Sequence, residues 1–161
     1  MYQTVEGFLN VWQMESSLTQ KLMNQLTDES LKQEIAPGYW SLGETAWHIV
    51  VVGGLIAKQT GLDFNSPSPE SPIPALAKEI AEGYQQMSQG ILAAVKKQWK
   101  DGDLLAESAI FGQPQANGAT LSMLVSHEIH HRGQMSVLMH QAGVKVPGIY
   151  GPSKDDKDER K

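Results

Sequence analysis

Four stretches of this 161-residue chain repeat apolar side chains every three or four positions, and each ends at residues that stop a helix. That period belongs to amphipathic helices with one buried stripe, and it leaves little chain for a sheet. The first stretch runs from about Thr4 to Leu26, with Val5, Phe8, Leu9, Trp12, Leu22, Met23 and Leu26 on its stripe. A short helical piece reaches Glu34 before Pro37-Gly38 breaks the chain. The second helix starts at Ser41, where Glu44 three positions on completes a capping box, and ends at Gly61. Its Val50-Val51-Val52 run reads as a strand in isolation; the cap, the length and the helical spacing outweigh it.

Four prolines mark Phe64 to Pro74 as a loop. The third helix spans about Ala75 to Trp99, with Gly83 and Gly90 weakening it. Leu104 to Gly118 is irregular, with room for short extended pieces but no convincing full strand. Thr120 is taken as the cap of the fourth helix, which ends at Gly143 with Pro147 beyond. The reading is an all-α four-helix bundle, up-down, with a long irregular connection between helices 3 and 4. One domain covers residues 1–152, and 153–161 form a charged, solvated tail.

Composition removes several function classes. There is no cysteine, hence no disulfide, no thiolate metal site and no cysteine nucleophile; any thiol chemistry uses a thiol brought by a substrate. The net charge is −5 without a basic block, which argues against nucleic acid. The longest mostly apolar run, Ala46 to Ala57, contains His48 and is shorter than the roughly 18 residues of a membrane span. The first residues lack the build of a signal peptide, so a soluble cytoplasmic protein is expected.

The chemistry concentrates in Ser126-His127-Glu128-Ile129-His130-His131-Arg132-Gly133-Gln134. Helical residues four apart differ by about 40° around the axis, so His127 and His131 project from one face, a turn apart. This is the usual helical way to bring two imidazoles to one metal ion. His130 is also compatible with His127; His131 is preferred because it lies nearer the stripe of Leu124, Met135 and Leu138, where another helix can add a ligand. His140 falls on the opposite side and is left out. A lone histidine in an apolar stripe is more often a core residue than a ligand, but a facing helix carrying a histidine pair makes His48 the candidate third ligand. The string His127-Glu128-Ile129-His130-His131 also matches the zincin pattern, with Glu128 as general base. That reading is disfavoured: the extended pattern needs Gly at Gln134 and His at Val137.

Two segments carry a family resemblance: Trp40-Ser41-Leu42-Gly43-Glu44-Thr45-Ala46-Trp47-His48-Ile49, and the helix-four string from His127 to Gln134. With the closing Gly143-Val144-Lys145-Val146-Pro147-Gly148, the chain resembles the DinB/YfiT-like metalloenzyme family over nearly all of its length apart from the tail. The resemblance implies a four-helix bundle with a divalent metal, zinc or nickel, held by His48, His127 and His131, and it implies a homodimer. Characterised members are thiol-dependent S-transferases and a thiol-dependent isomerase that use low-molecular-weight thiols; no DNA polymerase activity is implied.

The expected function is therefore metal-dependent thiol S-transfer to a small-molecule electrophile. The alternatives are a metal-dependent hydrolase and a non-catalytic bundle that binds metal or dimerises through its histidines. Glu128 is the candidate catalytic residue, as a base or as an acceptor from a ligand N–H; pairing with Arg132, four residues on, is the structural alternative. Gln134 is placed beside the site. Glu44 can orient His48, but a helix cap is favoured. Trp12, Met14, Met23, Trp47 and Met87 are read as packing.

Overall fold

A computed structural model describes residues 2–158. The helices are α1 (Val5–Met23), α2 (Leu42–Gln59), α3 (Ala77–Gln98) and α4 (Asn117–Gln141), with α5 (Lys154–Asp158) near the C-terminus. One 3-10 turn, Ser30–Lys32, follows α1, and another, Asp101–Leu104, follows α3. Among the described residues no helix is long and apolar enough to cross a membrane.

α1 and α2 each pack against both α3 and α4, which makes the four-helix bundle. The ends fix the directions. At one end the Val5 amide donates to Asp101 Oδ1 (2.7 Å), Phe111 N to Gln59 Oε1 (3.2 Å) and Asn117 Nδ2 to the Asp103 carbonyl (3.0 Å). At the other, Leu42 N reaches the Gln33 carbonyl (2.8 Å), Ala77 N reaches Asp28 Oδ1 (2.7 Å) and Lys21 Nζ donates to the Gly148 carbonyl (3.1 Å). α1 and α4 therefore run one way, and α2 and α3 the other.

Because α2 and α3 are parallel, the proline-rich segment between them must travel the length of the bundle. It lies extended against both helices. A Cβ on Gly83 would meet Trp47 Cζ3 at 2.8 Å, one on Gly90 would meet Phe64 Cδ2 at 2.7 Å, and one on Gly54 would meet Ser66 Oγ at 2.6 Å. The two glycines that weaken α3 as a helix thus admit this strap and the Trp47 ring. The connection that spans the bundle is α2–α3, whereas the irregular α3–α4 stretch closes one end.

That stretch contains a two-stranded antiparallel hairpin, β1 (Glu107–Ile110) and β2 (Gln113–Ala116), paired from Glu107↔Ala116 to Ile110↔Gln113. These are the short extended pieces the stretch has room for; no full strand is convincing from the sequence because Ile110 is the one buried residue of the two strands, too little for an alternating pattern. Thr120 is not the cap of α4, which begins at Asn117. The Thr120 hydroxyl donates to the Ala116 carbonyl (3.2 Å) and accepts from Gln115 Nε2 (2.9 Å).

The charged tail is anchored at its start. Asp155 Oδ2 accepts from Val146 N (2.8 Å), and Asp156 Oδ2 accepts from Gly148 N and Ser153 N (both 2.9 Å). The rest of the expected tail, residues 159–161, lies outside the described residues. Of the residues read as packing, Trp12, Met23, Trp47 and Met87 are buried; Met14 is half exposed. Trp12 is wholly enclosed and donates Nε1–H to the Ser88 carbonyl at 3.0 Å, so its one polar atom is satisfied.

Candidate metal centre

The Ser41 cap sets the rotational phase of α2. Ser41 Oγ accepts from Glu44 N (3.2 Å), and Glu44 Oε2 accepts from Ser41 N (2.6 Å). Glu44 is thus a helix cap, the favoured alternative to orienting His48. The helix that starts there buries Ala46, Ile49 and Val50 and turns His48 toward α4. On α4, His127 and His131 lie one turn apart with ring centroids at 4.5 Å. The His48 ring is 5.1 Å from His127 and 4.5 Å from His131.

One ring nitrogen from each of the three lies within 4.8 Å of the others, and His48 Nε2 and His127 Nε2 are only 3.1 Å apart. The three-histidine group could hold a metal ion. His130 touches the edge of His131, with centroids at 4.9 Å, but is exposed and outside the group. His140 pairs with Asp155 at 3.4 Å, away from the site.

Burial is the main force on the imidazoles. It pushes His48 down to about 4, helped by charge on His131. It pushes His127 down to about 4, helped by His131, His48 and His130. His131 is lowered too, chiefly by burial, while its bond to Gln134 opposes the shift. The rings are therefore neutral at pH 7, with lone pairs free to bind a cation.

Gln134 orients one of them. Its Oε1 lies 2.7 Å from His131 Nδ1; an amide oxygen only accepts, so Nδ1 carries the hydrogen and Nε2 keeps the lone pair. His127 Nδ1 is buried without a partner. Two bare Nε2 atoms at 3.1 Å repel unless a proton or a cation lies between them. Three neutral nitrogen donors with space for a further ligand fit a divalent transition metal.

Trp40 is a site residue that sequence reasoning did not single out. Its ring tilts against His48 (centroids 4.7 Å) and lies nearly parallel to His131 (6.4 Å, 26°). It sits in the break before the Ser41 cap, where no periodicity points to it; the available signal was an aromatic residue directly before a cap. A pocket of about 440 Å³, lined by Ile35, Tyr39, Trp40, Gln134 and Leu138 among others but by none of the three rings, is linked to the histidines through Trp40 and Gln134.

Glu128 points elsewhere. Its Oε1 accepts from the Thr19 hydroxyl (2.6 Å) and the Tyr84 hydroxyl (2.7 Å), from α1 and α3. It is enclosed, and burial raises its carboxyl above the usual range despite those two hydrogen bonds and nearby Arg132. Nor does it pair directly with Arg132, as the structural alternative had it. Arg132 Nη2 meets Glu15 Oε2 at 2.6 Å, and Nη1 donates to the Glu15 carbonyl and to Thr19 Oγ1, both at 3.0 Å. The spacing of four places Glu128 and Arg132 on one face, but α1 offers Arg132 the nearer carboxylate.

The structure is similar to the crystal structure of a DinB-like protein from Bacillus cereus ATCC 10987, with a TM-score of 0.90 and 49% identity over 93% of this chain and 100% of that one. The DinB-like protein YjoA from Bacillus subtilis shares the fold at a TM-score of 0.69 with 17% identity, over 91% of this chain and 99% of that one. In sequence the chain is 49% identical over 156 residues to YrdA of Bacillus subtilis strain 168, an uncharacterized protein, covering 97% of this chain and 93% of YrdA. With residues 1–161 matched by the DinB family as a whole, the chain belongs to the DinB family.

Proposed function

We propose that His48, His127 and His131 hold a divalent metal ion, zinc or nickel, and that the protein is a metal-dependent enzyme of thiol S-transferase type. The observation that carries this reading is the convergence of three neutral imidazoles from two helices beside a pocket large enough for a small molecule. A divalent ion held by neutral ligands supplies its full double charge, which lowers the pKa of a thiol or water presented to it.

The chain's own groups do the rest. Gln134 fixes the tautomer of His131, and Trp40 covers one side of His48 and shields it from water. With no cysteine in the chain, the sulfur comes from a low-molecular-weight thiol. In the reaction that sulfur forms a bond to an electrophilic carbon as the leaving group departs with its electron pair, and the thiol proton passes to solvent.

The test is twofold. Protein purified after metal-replete growth is expected to carry close to one equivalent of metal; less than about a tenth of an equivalent removes the metal site from the reading. The loaded protein is then given a small thiol and a chloroaromatic electrophile. Turnover that requires the thiol supports the transferase. Turnover that ignores it assigns a hydrolase, and none with a range of thiols and electrophiles favours a non-catalytic metal-binding bundle.

A further inference from the structure

The loop that carries Trp40 is held rigidly although it is exposed. Glu34 and Ser41 form a β-bridge across its ends, and Glu34 Oε2 accepts from Gly38 N at 3.0 Å. Inside, Ala36-Pro37-Gly38-Tyr39 forms a turn in which Tyr39 N donates to the Ala36 carbonyl (3.1 Å) and Gly38 takes a φ of 81°. Proline second and a positive-φ glycine third are the residues of a type II turn. This rigid loop nevertheless leaves Ile35, Tyr39 and Trp40 exposed at 58%, 68% and 52%. Three large apolar side chains held in water around one pocket, with Leu138 buried behind them, mark a surface shaped for something apolar to cover it.

Among the described residues no charged side chain lines that pocket; its polar side-chain groups are the Gln134 amide, the Trp40 indole N–H and the hydroxyls of Tyr39 and Thr45. Trp40 belongs to both places at once: it lines the pocket, and its ring lies against His48 and His131. A flat group resting on Trp40 therefore lies one side chain away from the imidazoles.

We propose that the pocket at Trp40 binds the electrophilic substrate through a flat aromatic group stacked on that ring. This rests on the transferase reading above for the word electrophilic, but the binding step is measured without turnover. Calorimetric titration of the full chain with unreactive dinitrobenzene is expected to give saturable one-site binding. Trp40→Ala weakens it roughly tenfold, the scale of losing one aromatic partner, while Trp40→Phe, which keeps a flat face, stays within about threefold.

Binding that is unchanged in Trp40→Ala overturns the proposal; thermal melting of both variants confirms that they are folded. The two readings fail separately. Dinitrobenzene binding with the stated Trp40 dependence but no thiol turnover removes the transferase and leaves the pocket. Thiol-dependent turnover of chlorodinitrobenzene with the same KM in Trp40→Ala as in the parent, at equal metal content, removes the pocket and leaves the transferase.

Discussion

Between residues 127 and 134, α4 turns one polar cluster toward α2 and another toward α1 and α3. In the second, opposite charges and matched donors meet: the Arg132 guanidinium is engaged by the Glu15 carboxylate, the Glu15 carbonyl, Thr19 and the Tyr150 hydroxyl. In the first, three groups of one kind converge, with two ring nitrogens 3.1 Å apart and one further ring nitrogen, His127 Nδ1, buried without a partner. The Arg132 charge is paired within the chain and holds helices together, although Glu128 Oε2 beside it is also buried without a partner. Among its own members the histidine cluster makes one Nε2···Nε2 contact in which one ring can donate, whereas a cation would engage all three rings at once.

The largest expected effect tests the first half of that contrast. Arg132→Met leaves the Glu15 carboxylate buried without its partner, which costs about 3–5 kcal/mol in urea denaturation. His127→Ala or His131→Ala in metal-free protein costs about 1 kcal/mol or less. If the histidine variants are destabilised as much as Arg132→Met, the two clusters are not built on different principles.

The second half is tested by metal retention. Either histidine substitution is expected to lower affinity by more than about 100-fold, beyond the range for an outer-shell partner, whereas His130→Ala retains metal. Gln134→Ala, which frees the His131 tautomer, is expected to cost about 10–100-fold. Gln134→Glu keeps an acceptor at the same atom and restores most of the loss. Competition with a chromogenic chelator measures all five variants.

These expectations also show where sequence sufficed. The period of the stripes and the Ser41–Glu44 box placed the helices, and the i, i+4 spacing placed His127 and His131 on one face, because both are local properties of a helix. That His48 faces them depends on which faces α2 and α4 bury, and two consistent stripes made that inference possible. Other features depended on distant chain. Parallel α2 and α3 are set by the extended strap, whose seats at Gly54, Gly83 and Gly90 read in isolation only as weak helix. Arg132 chose Glu15, 117 residues away, over its neighbour on the helix. Trp40 acquires its role from a loop closed by a bridge, which no periodic pattern announces.

The pH dependence of metal-free stability separates the clusters further. His48 and His127 drop from 6.5 to about 4 on folding, so the unfolded chain takes up more protons in that interval; their contribution is present above 6.5 and is lost as pH falls toward 4. Glu128 works in reverse. Its carboxyl is raised from 4.5, so its contribution is full below that value and is lost as pH rises through the folded one. Between 4.5 and 6.5 the two oppose. Urea midpoints across this window are expected to fall less steeply with acid in His127→Ala and more steeply in Glu128→Gln. Half-exposed rings keep the histidine effect well below the Arg132 one.

The smallest expected effect is that of Glu128→Gln at neutral pH, and it decides whether this residue belongs to the chemistry. The amide oxygen can still accept from Thr19 and Tyr84, and burial already favours the uncharged carboxyl that the amide imitates. Stability is therefore expected to change by about 1 kcal/mol or less. Metal content is expected to hold, because the carboxylate hydrogen-bonds to hydroxyls of α1 and α3 and not to the imidazoles. Any thiol-dependent turnover follows the metal and stays near the parent rate. A general base at this position predicts a loss of about 100-fold or more; a loss of that size with unchanged metal content would place Glu128 in the reaction and merge the two clusters into one site.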